Sequence, residues 1–271
     1  KVLHGSDGNV KCGFFNFGFT AVKTCPGAVF SNCECAKAEF CYALLNEYQY
    51  PNVLEAHQEY LELLREDPEL FFWYLDMEIK KRNATVVRPQ ESGDFPNKEY
   101  AKRLYGFAKE RENITFFTFT KNWVLPNWDF IEELPFWKLP NFFLRMSEWG
   151  DLVVPEKLRK YYRVAKAVQV YDFEATEKAG YRHCNGNCEK CRMCLGNEYD
   201  VYFIIHGAKA NFPIQAEFLT HRKEKVTPEI LATWEFHKFP TGKTINGIRD
   251  TIARDYGKGK EYEYKTELLR T

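Results

Sequence analysis

Residues 114–122 read Ile114-Thr115-Phe116-Phe117-Thr118-Phe119-Thr120-Lys121-Asn122, an aromatic and β-branched run that stops on a lysine and an asparagine. Such a run is a strand whose polar end opens onto a loop. The same form recurs on both sides of it. Upstream, Ala84-Thr85-Val86-Val87-Arg88 leads into Gln90-Glu91-Ser92-Gly93-Asp94, and a first strand is expected near Gly13 to Phe19. Downstream, Asn141 to Met146 ends at Ser147-Glu148-Trp149, Ala167 to Tyr171 at Asp172-Phe173-Glu174, and Asp200 to Ile205 at His206-Gly207. Helical stretches lie between these strands. Val53 to Glu66 carries an apolar stripe, and Asp67-Pro68 suits a cap and first turn for a helix to about Lys81. Asn97 to Arg111 places Tyr100, Leu104, Phe107 and Ala108 on one face, and shorter helices are expected at Trp128 to Glu133 and Pro155 to Tyr162.

The strands recur roughly 30 residues apart, the spacing of successive βα units. Right-handed crossovers then give a parallel α/β sheet, either doubly wound or closed toward a barrel. Polar residues at nearly every strand end favour a partial (β/α)6-type barrel, because a barrel builds its site on that rim. Residues 1–207 are read as this domain. The rhythm stops after 208, so residues 208–271 are read as a C-terminal helical extension packed on it, with helices opening at Thr227-Pro228-Glu229 and spanning Ile245 to Tyr256.

The 271 residues suit one large domain of this kind. Aromatic residues make up 17%, which predicts a core rich in rings. The 38 basic and 38 acidic residues cancel, so a broad electrostatic footprint for nucleic acid is not supported. A basic strip of Lys157, Arg159, Lys160 and Arg163 is the one local candidate, and a solvated helix face is the simpler reading of it. No apolar run has the length to cross a bilayer, and the expected location is cytoplasmic, with no membrane partner.

Eight of the nine cysteines fall into two groups. A disulfide scaffold would be a shorter, secreted chain, whereas clusters of this kind in a cytoplasmic protein are metal ligands. The later group is Cys184, Cys188, Cys191 and Cys194, with gaps of three, two and two residues. Structural zinc more usually takes two close pairs a dozen or more residues apart. One continuous run resembles the wrapping of a [4Fe–4S] cluster, with Gly186 supplying backbone freedom. Iron–sulfur is therefore favoured over zinc, which remains the alternative. The earlier group is Cys25, Cys33, Cys35 and Cys41, after the first strand and running into a helix near Ala36-Lys37. Three ligands, with either Cys33 or Cys35, leave one iron open; four close the cluster. Cys12 is isolated and reads as a buried free thiol.

On Thr24-Cys25-Pro26-Gly27-Ala28, Cys41-Tyr42-Ala43, Ser92-Gly93-Asp94-Phe95, Thr118-Phe119-Thr120-Lys121, Ser147-Glu148-Trp149, the four-cysteine run and His206-Gly207, the chain resembles the bacteriophage gene-product-88 family over roughly residues 12 to 207. That family looks like a divergent radical S-adenosylmethionine barrel, although the C-x3-C-x2-C motif of such enzymes is not present here. The resemblance implies a cofactor-binding role for Glu91, Ser92, Gly93 and Asp94, which take the place of a Gly-Gly-Glu-like segment at the end of the second strand. It also implies an auxiliary cluster on the later cysteines, an external electron donor and a substrate whose identity it does not specify. A tight turn is the plainer reading of Ser92-Gly93-Asp94. Lys121, Ser147, Glu148, Asp172 and His206 would point toward the same rim. Gly242-Lys243-Thr244 lacks the upstream glycine of a phosphate loop, since position 237 is His. The competing functional class is a zinc- or cluster-stabilised binding protein without catalysis, and a third is an electron-transfer protein with two closed clusters.

Overall fold

The computed structural model describes residues 13–21, 23–31, 41–44, 48, 50–150, 152–168 and 172–205, together with Leu3 and Ile252. Cys12, Cys33, Cys35, the helix expected near Ala36, His206 and nearly all of the expected 208–271 extension lie outside the described residues. Ile252 is helical and buried in the main core.

Local chemistry sets each helix. Helix α1 is one short turn, Pro26–Phe30, and α2 runs Pro51–Glu66 with a proline in its first turn. Helix α3, Pro68–Arg82, starts where the Asp67 carboxylate accepts from Leu70 N at 3.1 Å. It ends at Asn83 in the left-handed conformation, φ 50°, after Lys80, Lys81 and Arg82. Helix α4, Lys98–Lys109, is capped by Asn97, whose side chain accepts from Tyr100 N at 2.8 Å.

Seven strands form one curled, all-parallel half-barrel sheet: β1 (Phe15–Asn16), β2 (Val86–Arg88), β3 (Thr115–Thr120), β4 (Phe142–Trp149), β5 (Arg163–Val168), β6 (Arg182–His183) and β7 (Val201–Ile204), in the order β1-β2-β3-β4-β5-β7-β6. The α/β partial barrel read from strand spacing is therefore the observed architecture, with one difference at its edge. The two-residue β6 is added outside β7, after the short helix α6 (Phe173–Lys178). Its brevity and full exposure gave no periodic pattern to read.

Strand alternation gives the sheet two unlike faces. Val87, Phe116, Phe142, Leu144, Met146 and Val164 enter the main core beneath α2, α3 and α4. Ring contacts run through that core from Phe17 to Phe71 (5.9 Å between centroids), Phe72 to Phe107 (5.3 Å) and Phe116 to Phe142 (5.8 Å). Phe14, Val86, Phe117, Phe119 and Phe143 face the other way, onto the inner side of the curl.

Three sequence expectations shift. The helix at 128–133 is a turn in which Asp129 Oδ1 accepts from Ile131 N and Glu132 N; Pro135 follows at once and cannot donate to a continuing helix. The strand expected at 167–171 begins earlier, at Arg163 (β5, Arg163–Val168), because Asp200 Oδ1 accepts from Val164 N and fixes its start; residues 169–171 lie outside the described residues. Arg163 and Lys166 had obscured its apolar alternation. The helix at 155–162 is one turn, α5 (Glu156–Arg159), and Arg159 turns inward, pairing with Glu148 and donating to Tyr181 Oη at 2.9 Å. The basic strip is thereby broken up.

Close backbone approach ties the loops after β1 and β3 together. Gly27 N donates to Asn122 Oδ1 at 2.9 Å, and a Cβ on Gly27 would overlap the Lys121 carbonyl and come 2.7 Å from Asn122 Cα. Gly106, within α4, has open space around it. Gly27→Ala should lower stability by about 1–3 kcal/mol through overpacking against backbone. Gly106→Ala should raise it by about 0.5–1 kcal/mol by restricting the unfolded chain. Denaturant midpoints at constant m-value check both signs.

Candidate functional site

The inner face of the half-barrel carries polar chemistry at two levels. Low on it, near the N-terminal ends of the strands, lies the four-cysteine loop. Cys184, Cys188, Cys191 and Cys194 all line one small pocket, walled by Phe14, Phe117, Leu195 and Val201. Each thiol reaches it by a different local device. Cys184 N donates to Tyr202 O at 2.9 Å and so extends the ladder of β7. Cys188 and Cys191 bracket a single helical turn, α7 (Cys188–Cys191), which places them on the same side. Asn187 Oδ1 caps that turn from Lys190 N at 3.1 Å, and Arg192, in the left-handed conformation at φ 53°, ends it. A 3-10 turn, Met193–Leu195, then carries Cys194 against Phe117.

Arg145 nails this loop to the sheet. It stands on β4 among phenylalanines, with 2% of its surface exposed. Its guanidinium donates to Met193 O at 2.6 Å, Gly196 O at 2.9 Å and Tyr199 O at 2.7 Å. Its Nε is buried without a hydrogen-bond partner, and among the described residues no carboxylate forms an ion pair with it. A guanidinium remains charged in a protein, so a buried cation stands behind Met193 in the pocket wall, compensated by three carbonyl dipoles and by the Asp200 carboxylate. Burial pushes the Cys194 thiol up to about 11, against the opposing pull of Arg145 and Arg88. Among the described residues, no three Cys, His, Asp or Glu side chains are gathered closely enough to hold a metal ion. The four thiols share a pocket without being drawn together in it.

Above, at the C-terminal ends of β1 to β4, are the described members of the earlier group. Cys25 opens α1 and packs with Trp149 and Leu152. Cys41 precedes Tyr42, whose hydroxyl donates to Glu91 O. The segment Glu91 to Asp94 lies between these two. Gly93 takes φ +83°, and a Cβ there would overlap Thr24 Oγ1; Asp94 N donates to Thr24 O at 3.0 Å. The sequence's pairing of Ser92-Gly93-Asp94 with the cysteine loop is thus spatially close, through Thr24.

The members of this segment have different duties. Asp94 is a latch: Oδ1 accepts from Phe95 N and Thr120 Oγ1, both at 2.7 Å, and Oδ2 accepts from Lys121 N at 2.7 Å. Ser92 O accepts from Phe19 N at 3.0 Å. Glu91 places Oε1 3.6 Å from His57 Nε2 and Oε2 3.4 Å from Tyr48 Oη. Of the other rim residues, Lys121 lies over the Trp149 ring at 5.9 Å, and Ser147 O accepts from Trp123 Nε1 at 3.0 Å. Glu148 is within β4, not beyond it, and its buried carboxylate holds Arg159, Tyr181 and Val154 N. Asp172 precedes α6 as its cap residue. Glu148 is therefore committed to structure.

Sequence reasoning passed over Arg145, Arg88 and Tyr42 as site residues. Arg145 had a usable signal, since a lone charge inside Phe142-Phe143-Leu144-Arg145-Met146 needs a buried partner.

Burial raises the Asp94 carboxyl from 3.8 to about 6 despite its three donors. A folded pKa above the unfolded one means stability that is full below about pH 4 and is lost as pH rises through about 6. Asp94→Asn removes that dependence and sets an amide against N–H donors, at a cost of about 1–3 kcal/mol. In urea titrations, the parent's advantage over the variant should shrink between about pH 4 and 6 and stay level above it; an advantage that grew with pH would contradict this assignment.

The family model described as Gene product 88 matches residues 5–222, which include both cysteine groups, the β2-end segment and every strand of the sheet. No curated protein and no solved structure matches the chain. With that match covering most of its length, the chain belongs to the Gene product 88 family.

Proposed function

We propose that this chain is an iron–sulfur protein of the radical S-adenosylmethionine type. In this reading Cys184, Cys188, Cys191 and Cys194 hold an auxiliary [4Fe–4S] cluster low in the half-barrel. Cys25 and Cys41, with Cys33 or Cys35, hold a second cluster at the rim. The observation that carries the reading is Arg145. A buried guanidinium that donates to three carbonyl oxygens, with the Asp200 carboxylate nearby, favours further negative charge, and four thiolates around a cluster would supply it in the adjoining pocket. What supports the reading is donor type: four thiols line one pocket.

The rim group would supply one-electron chemistry to a cofactor held at its open iron. Within the β2-end segment, Asp94 is already engaged with Thr120, Lys121 and Phe95. Glu91, its carboxylate beside His57 and Tyr48, is the segment's other acidic group and the one assigned here to a cofactor's amino group, and Gly93 keeps the backbone close to the cysteine loop. Tyr42 steadies that segment from the Cys41 side by donating to Glu91 O.

Zinc is the second reading, favoured by the capped Cys188–Cys191 turn, a form that suits a zinc knuckle as well. Metal and sulfide analysis of protein purified without oxygen decides between the two. Two clusters predict about eight iron per chain and absorbance near roughly 400 nm; Cys188→Ala with Cys191→Ala should leave about four. Added S-adenosylmethionine should alter the spectrum of the remaining cluster. Colourless protein carrying zinc alone would overturn the iron–sulfur reading.

A further inference from the structure

A second cleft, of about 550 Å³ and without a cysteine in its walls, opens at the β6 edge of the sheet. Small-molecule sites span roughly 300–1,000 Å³. Its walls are Glu177 at the end of α6, Gly180 and Tyr181 after it, Arg182 and His183 of β6, and Tyr199 ahead of β7. The Arg182 guanidinium lies over the Tyr199 ring, 5.3 Å from its centroid, and among the described residues no carboxylate pairs with it. Tyr199 is 39% exposed, and Arg145 holds its backbone carbonyl at 2.7 Å. The His183 ring rests against that of Tyr202, with 5.0 Å between centroids and a tilt of 32°. Arg182 N and Cys184 N donate inward, to Asp200 O and Tyr202 O. The N–H of His183 alternates with them and so faces the open edge of the sheet. On the α6 wall, Tyr202 Oη donates to Glu177 Oε1 at 2.6 Å and orients that carboxylate.

We propose that this cleft is a nucleotide site, taking a nucleoside monophosphate either free or as the 5′ end of a single strand. The inference goes beyond the metal-centre reading and does not depend on it. Nucleobases stack on tyrosine rings and on guanidinium planes alike, and the Tyr199–Arg182 pair presents both in contact. A phosphate needs several donors and positive charge together. The Arg182 guanidinium, the His183 imidazole and the outward His183 N–H supply them along β6. Glu177 repels a phosphate and accepts from N–H groups, so it turns the base toward α6. Guanine, which presents two N–H donors side by side, suits that carboxylate. Formal charges cancel over the chain, which matches a site for one nucleotide and not a long nucleic-acid groove.

Titration calorimetry on the full chain tests the site with four probes: guanosine 5′-monophosphate, guanosine, inorganic phosphate, and a short 5′-phosphorylated single strand beginning with guanosine. The monophosphate should bind at a single site, more tightly than guanosine or phosphate alone. Tyr199→Ala should weaken it roughly five- to 150-fold, the loss of one base stack. Tyr199→Phe keeps the ring and should leave binding unchanged, which separates stacking from a folding defect. Arg182→Gln should weaken the monophosphate by about tenfold or more and guanosine less, because only the nucleotide carries charge. A strand that binds more tightly than the monophosphate assigns the site to a strand end; the reverse order assigns it to a free nucleotide. Absence of binding by all four probes, binding of phosphate as tight as that of the nucleotide, or binding indifferent to both Tyr199→Ala and Arg182→Gln overturns the inference. None of these readouts involves iron, so the iron–sulfur reading stands or falls separately.

Discussion

A parallel sheet curled into half a barrel leaves its inner face to be covered by something other than its crossover helices. Here that face presents Phe14, Val86, Phe117 and Phe143, and the chain covers it with the loop between β6 and β7. A loop of this composition, rich in glycine and asparagine, has little apolar surface of its own with which to stay in place. The interaction that holds it is the Arg145 clamp, three charge-assisted hydrogen bonds from the sheet to loop carbonyls. It acts together with the packing of Cys188, Cys194 and Leu195 beside Phe117 and with Arg163 Nε, which donates to Asn197 O at 2.6 Å.

A second constraint operates at the rim. The loops after β1, β2 and β3 are joined by Gly27 against Lys121 and Asn122, by Gly93 against Thr24, and by Asp94 against Thr120 and Lys121. These polar groups do what a continuing barrel sheet would otherwise do. They keep adjacent strand ends in register where the ladder stops, and so bring the segment beginning at Glu91 beside Cys25 and Tyr42. The ionised partners at this end are consumed by structure to different degrees. Asp94 and Glu148 are engaged on both oxygens, while Glu91 keeps its carboxylate among hydroxyl and imidazole groups.

Charge on the inner face is arranged with similar economy. Formal charges cancel over the chain, yet Arg192 lines the cysteine pocket and Arg88 and Arg145 touch its walls at Phe117 and Met193. Their neighbours are rings, carbonyls and thiols. Arg88 and Arg145 favour negative charge at Cys184 and Cys194, while burial opposes it and holds both thiols above their ordinary range.

The amino-acid sequence by itself determined the polarity and order of most elements. Caps at Asp67 and Asn97, the β-branched run at 114–120 and the recurring polar strand ends act over a few residues, and local chemistry makes them legible. The four-cysteine run was legible for the same reason. Short elements were not: α6 and β6 carry too few residues for a period, and the charged Arg163 and Lys166 masked the start of β5. Only the tertiary structure decided which face of the sheet the cysteines cover, which carboxylates are latches and where the arginines point. Those facts rest on contacts between residues far apart in the chain, such as Arg145 with Met193 and Arg88 with Tyr42. No local pattern encodes them, because a side chain's partner across a sheet depends on how the whole sheet curls.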